Sequence, residues 1–273
     1  MGSSYGTGRG GAGLRRWALA LLAVLALAVA MLWRENPATQ GAEGYAGEVA
    51  AASAAVYVTL RTLNAVLSSA QEVEVGAGLI VEGSAQPLKV LEPVDDTVER
   101  IAGVVFGVMV LTGVLAVAMG PVWAVGWSMV AAALAIHAIT GGVAGVGRRL
   151  LSYGGFLALA LPAAFVLSAL VADRLTQDVW DRHSAVVSEI AGGVEIEAPV
   201  AEDDEGYWEA MRRQFDRIAD YTALAGRIYE RGDELIGSFI AILAVFVFKI
   251  FVLPALLAGA FLVVARGLAR PAG

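Results

Sequence analysis

Lys249 lies inside FIAILAVFVFKIFVLPALLAGAFLVVA, a run with no other charge, and it is one of two lysines against 17 arginines. An ammonium in such a run is costly and calls for a partner or a function. Pro254 follows five positions later and deprives the preceding turn of a backbone donor. No Asp or Glu occurs within the apolar runs to neutralise the charge, so carbonyls, a lipid headgroup, solvent or another subunit must satisfy it. His137, in AAALAIHAITGG, is the other ionisable side chain inside an apolar run. Together, Lys249 and His137 would form a polar core site without acid, suited to an anionic or neutral ligand. A second constellation is Asp95, Asp96 and Glu99 in LEPVDDTVER. After Pro93, a good first-turn residue, these acids favour a helix N-terminus, and Asp96 can reach Arg100 at i+4. In an oligomer the same acids could ring a pore mouth and attract cations.

Other chemistry has little to stand on. No nucleophile elbow, HExxH or phosphate-binding loop is present. The absence of cysteine removes disulfides, thiolate metal sites and cysteine nucleophiles. His137 and His183 have no metal-ligand spacing around them, and Asp203, Asp204 and Glu205 lack the periodicity of a calcium loop. We therefore expect no cofactor and no metal site, and an enzyme is the less favoured reading. Net charge is −7, with no basic patch for nucleic acid.

The elements that must position these residues are membrane spans. Of 273 residues, 58% are hydrophobic and only 16% charged, against roughly 25% charged in soluble domains. Mean hydropathy is +0.69. Residues 1–16 read as a disordered basic tail, and 17–33 as a first transmembrane helix bracketed by Trp17 and Trp33. A cleaved signal ending near Ala28-Val29-Ala30 is the rival reading. The further division is a first extramembrane region over 34–100, a central membrane block over 101–171, and a second extramembrane region over 172–235. A last span over 236–265 precedes a basic tail over 266–273. Gly120-Pro121 divides the central block into expected helices at 101–119 and 122–146, with 150–171 after them.

Arginines set the expected orientation. Arg9, Arg15, Arg16, the pair Arg148-Arg149, and Arg266 and Arg270 all prefer the cytoplasm. Residues 34–100 carry four basic and ten acidic groups, and 172–235 carry seven and sixteen; both prefer the outside. Two crossings within 101–147 would break this pattern. Either one of the two segments is atypical and four full crossings remain, or 172–235 lies in the cytoplasm.

Outside the spans, Val49, Ser53, Val56, Leu60, Leu63, Leu67 and Ala70 mark one helical face. Trp208, Met211, Phe215, Ile218, Thr222, Ala225 and Tyr229 give a heptad-like seam on a stalk running through 207–265, kinked at Gly232 or Gly237. Leu175, Val179, Val186 and Ile190 would extend the preceding span. Alternation at Gln71–Val75 and Val194–Glu197, with 79–82 and 88–91, predicts short strands. Small residues four apart, Gly103/Gly107, Ala116/Gly120 and Gly141/Gly145, offer close helix contacts, and intramembrane hydroxyls offer bonds between helices.

The fold class expected is mainly α: a polytopic helical membrane protein with helical extramembrane stalks and a small β element. The expected function is that of a multi-pass protein of the cell membrane, in contact with the lipid bilayer and self-associating as a homo-oligomer. It would act as a channel-like pore or a scaffold, with a protein partner possible on the extracytoplasmic side. A small-molecule transporter or an intramembrane enzyme is the alternative.

Overall fold

The structure, a computed structural model, describes the backbone of residues 8–78, 92–142, 145–191 and 207–268, and the side chains of 13–32, 34–69, 92–142, 145–191, 224 and 226–264. Seven α-helices cover these residues: α1 (Gly8–Met31), α2 (Pro37–Gly78), α3 (Glu92–Thr140), α4 (Val146–Gly155), α5 (Leu161–Ala191), α6 (Tyr207–Val247) and α7 (Leu253–Leu268). A 3-10 turn at Trp33–Glu35 joins α1 to α2, and π turns at Phe156–Ala160 and Phe248–Val252 join α4 to α5 and α6 to α7. Five helical segments are long and apolar enough to cross a membrane: Gly13–Met31, Pro37–Ser69, Glu92–Thr140, Val146–Ala191 and Gly226–Val264.

Local chemistry explains the helix boundaries. Asn36 caps α2: its Oδ1 accepts from the amides of Ala38 at 2.8 Å and Thr39 at 3.4 Å. Pro37 fills the first helical position, where its missing N–H costs nothing. Helix α1 begins at Gly8, so the second half of the expected disordered tail is helical.

Several expectations are corrected. No strand occurs among the described residues, and the expected β element is absent there. Gln71–Val75 continues α2 to Gly78, because two alternating valines do not outweigh the Ala-rich helix already propagating into them. The other expected strands lie outside the described residues. Helix α3 runs unbroken through Gly120-Pro121 for 49 residues, replacing the two helices expected within 101–147.

Two compact units divide the chain. The first takes Met1–Val49, Leu111–Asp173 and Lys249–Gly273; the second takes Ala50–Val110 and Arg174–Phe248. Their interiors differ in kind. Among the described residues, ten of the seventeen buried apolar residues of the first unit are alanines, including Ala26, Ala42, Ala131 and Ala164, whereas one of eighteen is alanine in the second. The second unit buries Leu60, Leu63, Leu67, Val98, Ile190, Ile228, Leu235 and Phe239. Many large side chains of the first face outward, Trp17, Leu21, Val24, Val117, Leu170 and Val263 among them, while Tyr45, Met119, Trp123, Phe165 and Ile250 are buried.

Of the expected α2 face, Val49 is buried in the first unit, Ser53, Leu60, Leu63 and Leu67 are buried in the second, and Val56 is half-buried, while the side chain of Ala70 lies outside the described residues. The α6 seam is rotated by one position. Leu224, Ile228 and Leu235 are buried while Tyr229 is exposed; the other expected seam side chains lie outside the described residues. On α5, Ile190 is buried as expected, but Leu175 and Val179 are exposed and Thr176 and Val187 take the inner face. Helix α6 bends at Arg231, whose backbone leaves the helical region at φ −124°, ψ 23°, beside Gly232, where a Cβ would meet Val94 Cγ2 at 3.3 Å. Arg231 binds Glu189 at 2.6 Å and Glu234 at 2.7 Å, holding the bend against α5.

Candidate functional site

Lys249 has an acid after all. Its Nζ donates to Asp173 Oδ1 at 2.5 Å, and both residues belong to the first unit. Asp173 directly follows the apolar run of α5, so it escapes a search confined to the runs themselves. The Lys249 side chain is 19% exposed and that of Asp173 is 71% exposed: a sheltered ammonium meets a carboxylate that water reaches. The division of the chain into two units also falls at Lys249. The apolar run 236–265 is composite. Leu235, Phe239, Ile242, Val245 and Phe246 are core of the second unit, and Lys249 is the first residue of the stretch that belongs to the first.

The backbone at Lys249 is equally specific. In a π turn the amide at i+5 donates to carbonyl i. In the first π turn, Leu161 N–H donates to the Phe156 carbonyl, so the next carbonyl, that of Leu157, would need residue 162, which is Pro162. The second π turn repeats this register, and the Lys249 carbonyl would need residue 254, which is Pro254. Proline has no N–H to give. Tyr45 supplies the missing donor: its hydroxyl donates to the Lys249 carbonyl at 2.9 Å. Tyr45 is otherwise buried. The two turns share a written pattern, FLALALP over 156–162 and FKIFVLP over 248–254. In each, Phe opens the π turn and Leu-Pro closes it, a signal present in the sequence but not read there.

Helix α3 packs closely against the end of α4 and the first of these turns. A Cβ at Gly126 would lie 2.6 Å from the Ala158 amide nitrogen, and one at Gly154 would lie 2.7 Å from the Gly126 carbonyl. Two of the three expected contact pairs do not serve here: Gly103, Gly107, Gly141 and Gly145 have nothing within 4 Å of an added Cβ.

His137 is not a companion of Lys249. It is 7% exposed, one turn from the end of α3, and Arg15 Nη2 approaches its Nε2 at 3.1 Å. Arginine only donates, so Nε2 accepts and the ring proton sits on Nδ1, which is buried without a partner among the described residues. Asp173 lies about 40 Å along the α4–α5 axis from the start of α4, by helical rise, so the two sites occupy opposite ends of the unit.

The acidic cluster opens α3 as expected, with Glu92 and Asp95 in its first turn. Asp96 and Glu99 are exposed. Asp95 Oδ1 is buried without a hydrogen-bond partner among the described residues, and Asp96 forms no ion pair with Arg100 there. The hydroxyls of the apolar runs also differ from expectation. Ser128, Thr140, Ser152 and Ser168 each donate to the carbonyl four residues back, at 2.8–2.9 Å, rather than across helices. No group of three or more His, Asp or Glu side chains placed to hold a metal occurs among the described residues.

Comparison of the chain with protein-family models, with curated proteins and with solved structures finds no match.

Proposed function

We propose that this chain is a multi-pass membrane scaffold. In this reading the first unit lies in the bilayer and the second is a helical bundle in water on the extracytoplasmic side, self-associating and presenting a surface to a protein partner. The contrast between the two interiors carries the reading. Lipid gives helices no hydrophobic reason to associate, so membrane bundles pack through small residues and close backbone contacts. The alanine-rich interior and the Gly126–Gly154 contact fit that solvent. A bundle in water needs large buried side chains, and the second unit has them.

The same reading gives four crossings: α1, the Leu111–Thr140 part of α3, α4 with α5, and α7. Helix α3, being unbroken, carries the chain across once, and the arginines that flank the four crossings, Arg9, Arg15, Arg16, Arg148, Arg149, Arg266 and Arg270, then fall on the cytoplasmic side. The atypical apolar segment is the start of α2.

A scaffold fits better than a pore. Lys249 is paired with Asp173, and Ser128, Thr140, Ser152 and Ser168 turn back onto their own helices, which takes these groups away from a path. Self-association has a candidate surface in Val104, Phe106 and Val110, exposed on the α3 part of the second unit. Reconstituted protein is expected to show no ion flux across vesicles and to cross-link to itself through cysteines placed at Val104 or Val110. Flux above that of empty vesicles, lost in K249M, would replace the scaffold by a pore; absence of any cross-link would remove the self-association.

A further inference from the structure

The end of the first unit opposite Lys249 gathers positive charge with nothing to oppose it. Residues 1–34, 101–172 and 235–273 contain no Asp or Glu. Arg148 and Arg149 stand in the first turn of α4, whose N-terminus carries no acidic residue and no side-chain cap. That is the positive end of the helix dipole, where a cation is disfavoured and an anion is stabilised. Gly145 enters the helix at φ 57°, and no side chain caps the first amides of α4; the Arg149 N–H reaches the Gly145 carbonyl at 3.3 Å. Across the turn, Arg15 spends its one described side-chain bond on the imidazole of His137, which keeps its other donors for another acceptor. The imidazole is more than nine-tenths buried, with Nδ1 unpartnered. Trp17 and Tyr153, both exposed, flank the arginines as interfacial anchors do.

We propose that this end is a phosphate-binding site, formed by Arg148, Arg149 and the N-terminus of α4, which no side chain caps, together with Arg15, and that it takes the headgroup of an anionic phospholipid. A phosphate oxygen offers an acceptor to the guanidinium forks and an anion to the helix N-terminus, and it offsets the repulsion among the three arginines. The proposal rests on the membrane reading above.

Full-length protein is stripped of lipid in detergent, offered a mixture of phosphatidylglycerol and phosphatidylcholine, and its retained lipids are counted by native mass spectrometry. Wild type is expected to retain phosphatidylglycerol in preference. Two arginines near a headgroup are together worth about thirty-fold in affinity, so R148Q/R149Q should bind about that much more weakly. R61Q, which removes the same charge unit elsewhere, should bind as wild type does. R15Q gives an independent variant should the double substitution not fold, as judged by circular dichroism. Displacement of the lipid by inorganic phosphate would keep the site and make the free anion its ligand. Equal retention of phosphatidylcholine, or binding unchanged in both R148Q/R149Q and R15Q, would overturn it. Because the assay is run in detergent, its result is independent of which side of the membrane the turn faces.

Discussion

Lys249 and Asp173 are unequal partners, and their inequality is testable. Removing the carboxylate strands an ammonium that is four-fifths sheltered, whereas removing the ammonium leaves a carboxylate that water can solvate. Surface pairs are worth up to about 1 kcal/mol and the loss of one partner of a buried pair costs about 3–5 kcal/mol. D173N should therefore cost about 2 kcal/mol, between those limits, and K249M, which keeps an apolar stem of similar length, about half of that or less. K249M/D173N should match K249M alone. Thermal or denaturant unfolding in detergent gives the ordering, and a larger loss in K249M than in D173N would show that the pair does not work this way.

At the scale of the element, the two π turns explain how prolines sit inside long apolar helices. A proline clashes with the carbonyl four back and supplies no N–H; a π turn widens the helix where that happens. The displaced carbonyl at Lys249 is served by Tyr45, so Y45F should cost about 1 kcal/mol, the typical net worth of one hydrogen bond. In a P254A background the backbone can close its own bond, and Y45F should then cost little; the four proteins of this double-mutant cycle are compared by unfolding. An undiminished cost in P254A would sever the link between Tyr45 and the proline. The Gly126–Gly154 contact makes a second demand. A methyl at Gly126 would meet backbone, which cannot swing aside, so G126A should cost about 1–3 kcal/mol, while G107A, in open space, should be close to neutral in the same unfolding measurement.

At the scale of the whole molecule, the alternatives left by charge bias reduce to the side on which each loop lies. With no native cysteine to remove, single substitutions report it directly. In intact cells, an impermeant maleimide is expected to label E99C and R182C, and to label G142C only after the membrane is opened. Labelling of E99C and R182C from opposite sides would end the four-crossing arrangement. Two features of this scale were legible in the sequence: the membrane class, from composition, and most of the α2 face, from its three-four spacing. The division into two units was not. Hydropathy records only that a side chain avoids water, and it reads the same whether the neighbour is lipid or the core of a soluble bundle. Residues 101–110 and 236–248 belong to the second unit, which buries part of them, and nothing in the apolar pattern marks where one unit gives way to the other.

The candidate site divides along the same line. Sequence alone singled out Lys249 as a charge in need of a partner, Pro254 as the cause of a freed carbonyl, and His137 as a buried polar group, because each of these follows from the chemistry of one residue in its own stretch of chain. The partners are far away along the chain: Asp173 lies 76 positions from Lys249, Tyr45 lies 204, and Arg15 lies 122 from His137. Only the tertiary structure could bring them together, since periodicity places residues on a helix face but does not say which helix that face will meet.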